Sequence, residues 1–234
     1  MFFLRALADN RNPNSLANQM RRNRFAFFRR LLSSIPRPYR ILDVGGTQDF
    51  WVQMGFHDEE GVTIVVANIE ASHLELSQPG GATKFQSLVA DGRNLSCFED
   101  GAFDVVFSNS VIEHVGALEG QRCMMKEIAR VGKRYWVQTP NYWFPLEPHF
   151  HFLGFQFLPR QAQAWLLTKM SLGWTERQSQ FRSAHQIVSS VRLLSKRELR
   201  EMVPGAEIYN ERFLGLNKSF ALFKGWTAPV PSCK

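Results

Sequence analysis

The run Ile41-Leu42-Asp43-Val44-Gly45-Gly46 constrains this chain more than any other stretch. A short apolar strand, Arg40–Val44, enters two glycines, which let the backbone turn sharply and approach a ligand closely. In open α/β sheets ligands bind beyond the carboxyl ends of the strands, where strand order reverses. A βα turn also keeps glycine for structural reasons alone, so this run by itself leaves both readings open.

The chain after it alternates strand and helix. Thr63–Ile69, Phe85–Ala90, Asp104–Ser108 and Tyr135–Thr139 read as further strands. Gln121–Val131 has helical spacing, with Met124, Ile128 and Val131 on one side. Ser195-Lys196-Arg197-Glu198 fits a capping box, and Pro204-Gly205 ends that helix. Ala206–Glu211 and Ser219–Phe223 then read as an antiparallel closing pair. Strands separated by crossovers predict an α/β fold: a Rossmann-like, seven-stranded, mostly parallel sheet with helices on both faces.

Two regions fall outside that alternation. Residues 1–39 form a basic helical arm: before Ile41 there are nine arginines against Asp9 alone. That segment is therefore +8, and the remaining 194 residues together carry −1 of the formal charge of +7. A helix is expected from Asn14 to Leu32, its arginines on a solvated face and its apolar side docked on the sheet. A surface for anionic membrane or acidic substrate is the other reading. Nucleic acid is disfavoured, since basicity without a recognition pattern is a weak footprint. The second region, 142–194, is an aromatic-rich insertion after strand five. Its aromatic residues, Tyr142 to Trp174, either pack on one another as a lid or wall an acceptor pocket. The α/β body then spans 40–226, and 227–234 form a flexible tail.

Acidic and amide side chains recur at the strand ends: Asp43, Asn68 and Glu70, Asp91, then Asn109-Ser110. The dinucleotide fingerprint needs a third glycine where Asp49 stands, and a pyrophosphate would meet two carboxylates there. A ligand with ammonium and sulfonium groups suits such a rim better, and a nicotinamide dehydrogenase is disfavoured.

The stretches ILDVGG (41–46), VADG (89–92) and FDVVFSNSVIEHV (103–115) resemble class I S-adenosylmethionine-dependent methyltransferases, of the group that includes quinone-biosynthesis and small-molecule enzymes. The resemblance runs from about Arg40 to Phe223. It implies S-adenosyl-L-methionine as cofactor, with Asp43, Gly45, Gly46 and Thr47 around its methionine portion. Asn68, Ile69 and Glu70 would meet the ribose, Asp91 the adenine amine, with Gly92 and Arg93 beside the ring. Asn109 and Ser110 would lie beneath the sulfonium. Two departures stand out: Thr47 and Asp49 replace glycines, and Asn68 replaces the ribose acid. They motivate the alternative of a non-catalytic, cofactor-binding or interaction protein.

Methyl transfer needs alignment of the acceptor and, for a hydroxyl, a base. His114 and His149 are the catalytic candidates, although His114 could equally anchor its helix. His149 and His151, if extended, point to one side. No acidic or cysteine partner at close spacing is apparent, so no metal is expected. The acceptor is expected to be small, or lipid- or glycan-linked, and to take the methyl at oxygen. Cys97, Cys123 and Cys233 lack metal-ligand spacing, and Met1–Leu7 is too short for a secretory signal. A cytoplasmic protein is expected, with peripheral contact to anionic membrane as an option.

Overall fold

A computed structural model describes residues 15–74 and 80–226. Cys233, the opening Met1–Leu7 stretch and the 227–234 tail lie outside the described residues.

Helix α1 (Leu16–Leu32) starts where the Ser15 side chain accepts from the Asn18 backbone, and Arg29 and Arg30 occupy its last turn. Those charges suit the helix dipole. Strands β1 (Tyr39–Val44), β2 (Val62–Asn68), β3 (Lys84–Val89), β4 (Val105–Asn109) and β5 (Tyr135–Pro140) run parallel. Strands β8 (Glu207–Phe213) and β9 (Leu216–Lys224) close the far edge as an antiparallel pair. The order β3-β2-β1-β4-β5-β9-β8 reverses direction between β1 and β4. That reversal creates the crevice in which such sheets bind ligands.

The period of two along each strand sorts the core into two faces. Ile41, Val105 and Phe107 face one side, where they meet Phe25, Phe28 and Leu31 of α1 and Trp51 of the short helix α2 (Gln48–Gln53). Leu42, Val44 and Val106 face the other, under Met124, Ile128 and Val131 of α3 (Leu118–Val131). Helix α6 (Lys196–Met202) joins that layer, and its capping box is complete. The basic arm is thus a layer of the fold, and the Phe28 and Phe107 rings lie 4.8 Å apart.

The expectation that the arm's arginines are solvated holds only in part. Arg24 is 8% exposed, and its guanidinium bonds Glu211 of β8 at 2.7 Å and Asn109 of β4 at 3.0 Å. Arg29 and Arg37 both pair with Glu59. The α1 surface that docks on the sheet also meets strand ends, where acids wait for partners.

After β5 the chain leaves the sheet. Residues 142–194 hold a two-residue hairpin, β6 (Leu146–Glu147) with β7 (Phe152–Leu153), and helices α4 (Arg160–Lys169) and α5 (Phe181–Ser189). They bury a cluster of their own, including Phe150, Phe155, Leu167 and Val188.

Candidate active site

The β1 turn is built around Asp43. Its odd register position turns it to the α2 side, where Trp51 Nε1 donates to Oδ2 at 2.7 Å. Oδ1 is buried with no hydrogen-bond partner among the described residues. Burial pushes this carboxyl up to about 7, against the hydrogen bond from Trp51. Gly45 turns with φ of +80°, and a Cβ there would lie 2.5 Å from Val111 Cγ1.

The departures from the glycine pattern have local functions. Thr47 caps α2, its hydroxyl accepting from the Phe50 amide, and Asp49 sits in the first turn. An acid there complements the dipole. Asn68 Nδ2 donates to the Gly46 carbonyl at 3.0 Å, while its Oδ1 accepts from the Glu70 amide. Its amide groups therefore fix the glycine turn, and the Glu70 carboxylate is left at the rim. Ile69 beside it is 63% exposed.

After β3, Asp91 is gripped by Arg93 through Nε and Nη2, at 3.0 and 2.5 Å to Oδ2. The Arg93 hydrogen bond holds the carboxyl below its usual range. Gly92 is required where a Cβ would lie 2.7 Å from Val44 Cγ1. At the end of β4, Ser110 takes a positive φ of 56°. Its amide and hydroxyl bond the Gln138 backbone and side chain at 3.0 and 2.8 Å. A strained non-glycine residue at a rim is a mark of functional sites.

Asn109, Ser110, His114 and His149 line one cavity of about 470 Å³ beyond the carboxyl ends of β4 and β5. His151 and Trp174 of the insertion wall it, as do Arg21 and Lys218. A further cavity, of about 380 Å³, lies between the insertion and α6. The aromatic segment divides between both expected roles: Phe150 and Phe155 pack inward, while Trp174, 55% exposed, faces the cavity.

The histidines are not on an extended segment. The hairpin turn carries them, and His151 has a φ of +48°. Both nonetheless reach the cavity. The expectation that no acid lies near them is overturned. Glu147, two residues before His149, bonds its Nδ1 at 2.7 Å, and Glu113 Oε1 lies 4.0 Å from its Nε2. The Glu147 spacing was visible in the sequence; the Glu113 contact depends on the fold. His114 and His149 meet edge to face, ring centroids 4.8 Å apart. Burial and the neighbouring His149 lower His114 to about 4. Burial opposes the charge on His149, but Glu147 and Glu113 raise it overall.

The turn at Gly45-Gly46, the exposed Ile69 and the unpartnered Asp43 Oδ1 offer what a sulfonium nucleoside needs: close backbone, an apolar surface and an anionic atom. The strand order and the rim are like those of class I S-adenosylmethionine-dependent methyltransferases. Residues 42–135 match the methyltransferase domain family. No curated protein matches the sequence. Among solved structures, the PH0226 protein of Pyrococcus horikoshii is 17% identical, with 86% of this chain and 89% of that one covered and a TM-score of 0.50. The N-terminal domain of EvdMO1, solved in the presence of S-adenosylhomocysteine and D-fucose, is also 17% identical, covering 86% and 80% with a TM-score of 0.52. A Rhodobacter sphaeroides structure described as a putative zinc-dependent alcohol dehydrogenase is 12% identical, covering 82% and 85% with a TM-score of 0.54. Likeness at these identities concerns the fold alone. Among the described residues no helix is long and apolar enough to cross a membrane.

Proposed function

We propose that the protein methylates a small acceptor at oxygen, and that the acceptor carries an anionic group. One observation carries this reading: the end of β4, Asn109-Ser110, opens into the same cavity as His114, His149 and two cationic side chains, Arg21 and Lys218. Arg24 also lines that cavity, but Glu211 neutralises it. The excess positive charge favours a carboxylate or phosphate on the acceptor, and Trp174 and Phe144 offer surface to its apolar body.

The cofactor supplies an electrophilic methyl on sulfur. The protein's residues bind, align and exclude water. Backbone at Gly45 and Gly46 and the Asp43 carboxylate would hold the methionine portion, and Glu70 the ribose. Asp91 would accept from the adenine amine after sharing its carboxylate with Arg93. His149, oriented by Glu147, lies on the cavity wall beside the place the acceptor hydroxyl would take. Orientation of this kind lowers a barrier by about 7–11 kcal/mol in favourable systems, and a base adds on the order of 10²–10⁴-fold.

The grip of Arg93 on Asp91 is the one observation favouring a non-catalytic protein, since it occupies the adenine acceptor. The two readings separate in one assay: S-adenosylhomocysteine affinity by calorimetry, with methyl transfer from labelled cofactor to phenolic acids, hydroxy acids and matched amines. Oxygen methylation of an acidic acceptor is expected. Binding without transfer to any acceptor overturns the enzyme reading, and preference for the amines overturns the choice of oxygen.

A further inference from the structure

Glu113, His114 and His149 bring three ligand atoms within 4.8 Å of one another. Glu113 is fully buried, at 0% exposure. Thr139 satisfies its Oε2 at 3.0 Å, whereas Oε1 has no hydrogen-bond partner among the described residues. His149 Nε2 stands 4.0 Å from that orphan oxygen. This is too far for a hydrogen bond. Two ligand atoms on one tetrahedral ion, each at about 2.0–2.2 Å, stand about 3.3–3.6 Å apart, so a side-chain shift of about half an ångström brings this pair onto a shared ion. A buried carboxylate oxygen without a donor is costly, and a shared cation removes the cost.

The surroundings of His149 are those of a metal ligand. Nδ1 is engaged by Glu147, which is 2% exposed and accepts the His149 and Phe150 amides at 2.7 and 2.6 Å. A carboxylate on the far ring nitrogen fixes tautomer and orientation in histidine–metal sites, leaving Nε2 as the donor. His114 and His149 also line the large cavity, so the cluster is open on that side.

We propose that Glu113, His114 and His149 form a mononuclear site for a divalent transition metal, with Glu147 as the positioning residue for His149. Two imidazoles and one carboxylate suit zinc or cobalt better than magnesium, calcium or manganese, which prefer oxygen donors. A three-ligand site keeps a position open, as catalytic sites do. That position faces the cavity and takes an oxygen of the acceptor; this last step rests on the oxygen-acceptor reading above, whereas the metal site itself does not.

The test uses the full chain, stripped with a chelator and titrated with Co²⁺ alone, followed by visible absorption, with Zn²⁺ as competitor. One Co²⁺ per chain is expected, with d–d bands that Zn²⁺ abolishes. Glu113→Gln and His149→Ala should each remove the bands, with far-ultraviolet circular dichroism reporting whether either folds. His114→Gln is a milder ligand loss, should a first variant misfold. Glu147→Gln should weaken binding by about 10–100-fold, as loss of a supporting hydrogen bond does. His73→Ala, on an exposed turn, should change nothing. Bands that never appear at excess Co²⁺, or that survive in folded His149→Ala and His114→Gln, overturn the site. S-adenosylhomocysteine binding in the same preparation keeps the two proposals apart. Protein that binds it but not cobalt loses only the metal site; the reverse leaves the metal site standing.

Discussion

Asp43 lies against Gly46 so closely that a Cβ on Gly46 would fall 1.7 Å from the Asp43 Oδ2. Trp51 Nε1 holds that same oxygen by a hydrogen bond of 2.7 Å, which any retreat of the carboxylate would break. Gly46→Ala should therefore destabilise the fold by about 1–3 kcal/mol, as overpacking does. It should also abolish the thermal shift given by S-adenosylhomocysteine. Combining Gly46→Ala with Asp43→Ser should shrink the stability penalty in a double-mutant cycle; full additivity would show that the two do not touch.

The same carboxyl links stability to pH. Its folded pKa is raised from 3.8 to about 7. The native state thus binds the proton more tightly than the unfolded chain, so this stabilisation is complete below about 4 and lost as pH rises through about 7. Urea midpoints of the apo protein should fall between about pH 5 and pH 8. Asp43→Asn, which keeps an acceptor for Trp51, should flatten that slope. An unchanged slope would mean the carboxyl titrates normally.

Arg24 and Glu211 form a buried pair between α1 and β8, 10% and 5% exposed at their side chains. Arg24→Ala leaves Glu211 buried without its partner, apart from the Ser219 hydroxyl. A loss of about 3–5 kcal/mol is expected. Replacing both by leucine should cost much less, which denaturant titration of the three variants will read. Equal losses would show that packing, and not charge, holds the helix down.

Asp91→Ala should weaken S-adenosylhomocysteine binding by about 1–3 kcal/mol, since the adenine amine loses its acceptor. Arg93→Ala should leave binding intact or tighten it, because the grip on Asp91 is released. Calorimetry on both decides. Unchanged affinity in folded Asp91→Ala would move the adenine elsewhere.

What could be read ahead of the structure was local. Ile41–Val44 is a continuous apolar run ending in glycines, and Ser195 and Glu198 stand three apart, so β1 and the α6 cap declare themselves within a few residues. Helix α1 was legible from its period and its stop at Pro36, although the fate of Arg24 was not. Its partner Glu211 lies 187 positions away, and no periodicity encodes a pairing of that span. Asn68 was readable as a ribose ligand by resemblance. Its hold on the Gly46 carbonyl appears only once β1 and β2 are paired in register. Glu113 hid within a motif that reads equally as a helix start, and it meets His149 only because the hairpin after β5 folds back across the strand ends.

Helix α1 supplies Phe25, Phe28 and Leu31 to the hydrophobic interior while sending Arg21 to the cavity beyond β4 and β5. A cavity wall and the sheet's cover therefore share one peptide segment. Mutations that reshape this cavity from the helix will be filtered first by whether the sheet stays covered. A chain started at Ile41 would expose an oily flank and lose a cationic wall of that cavity together.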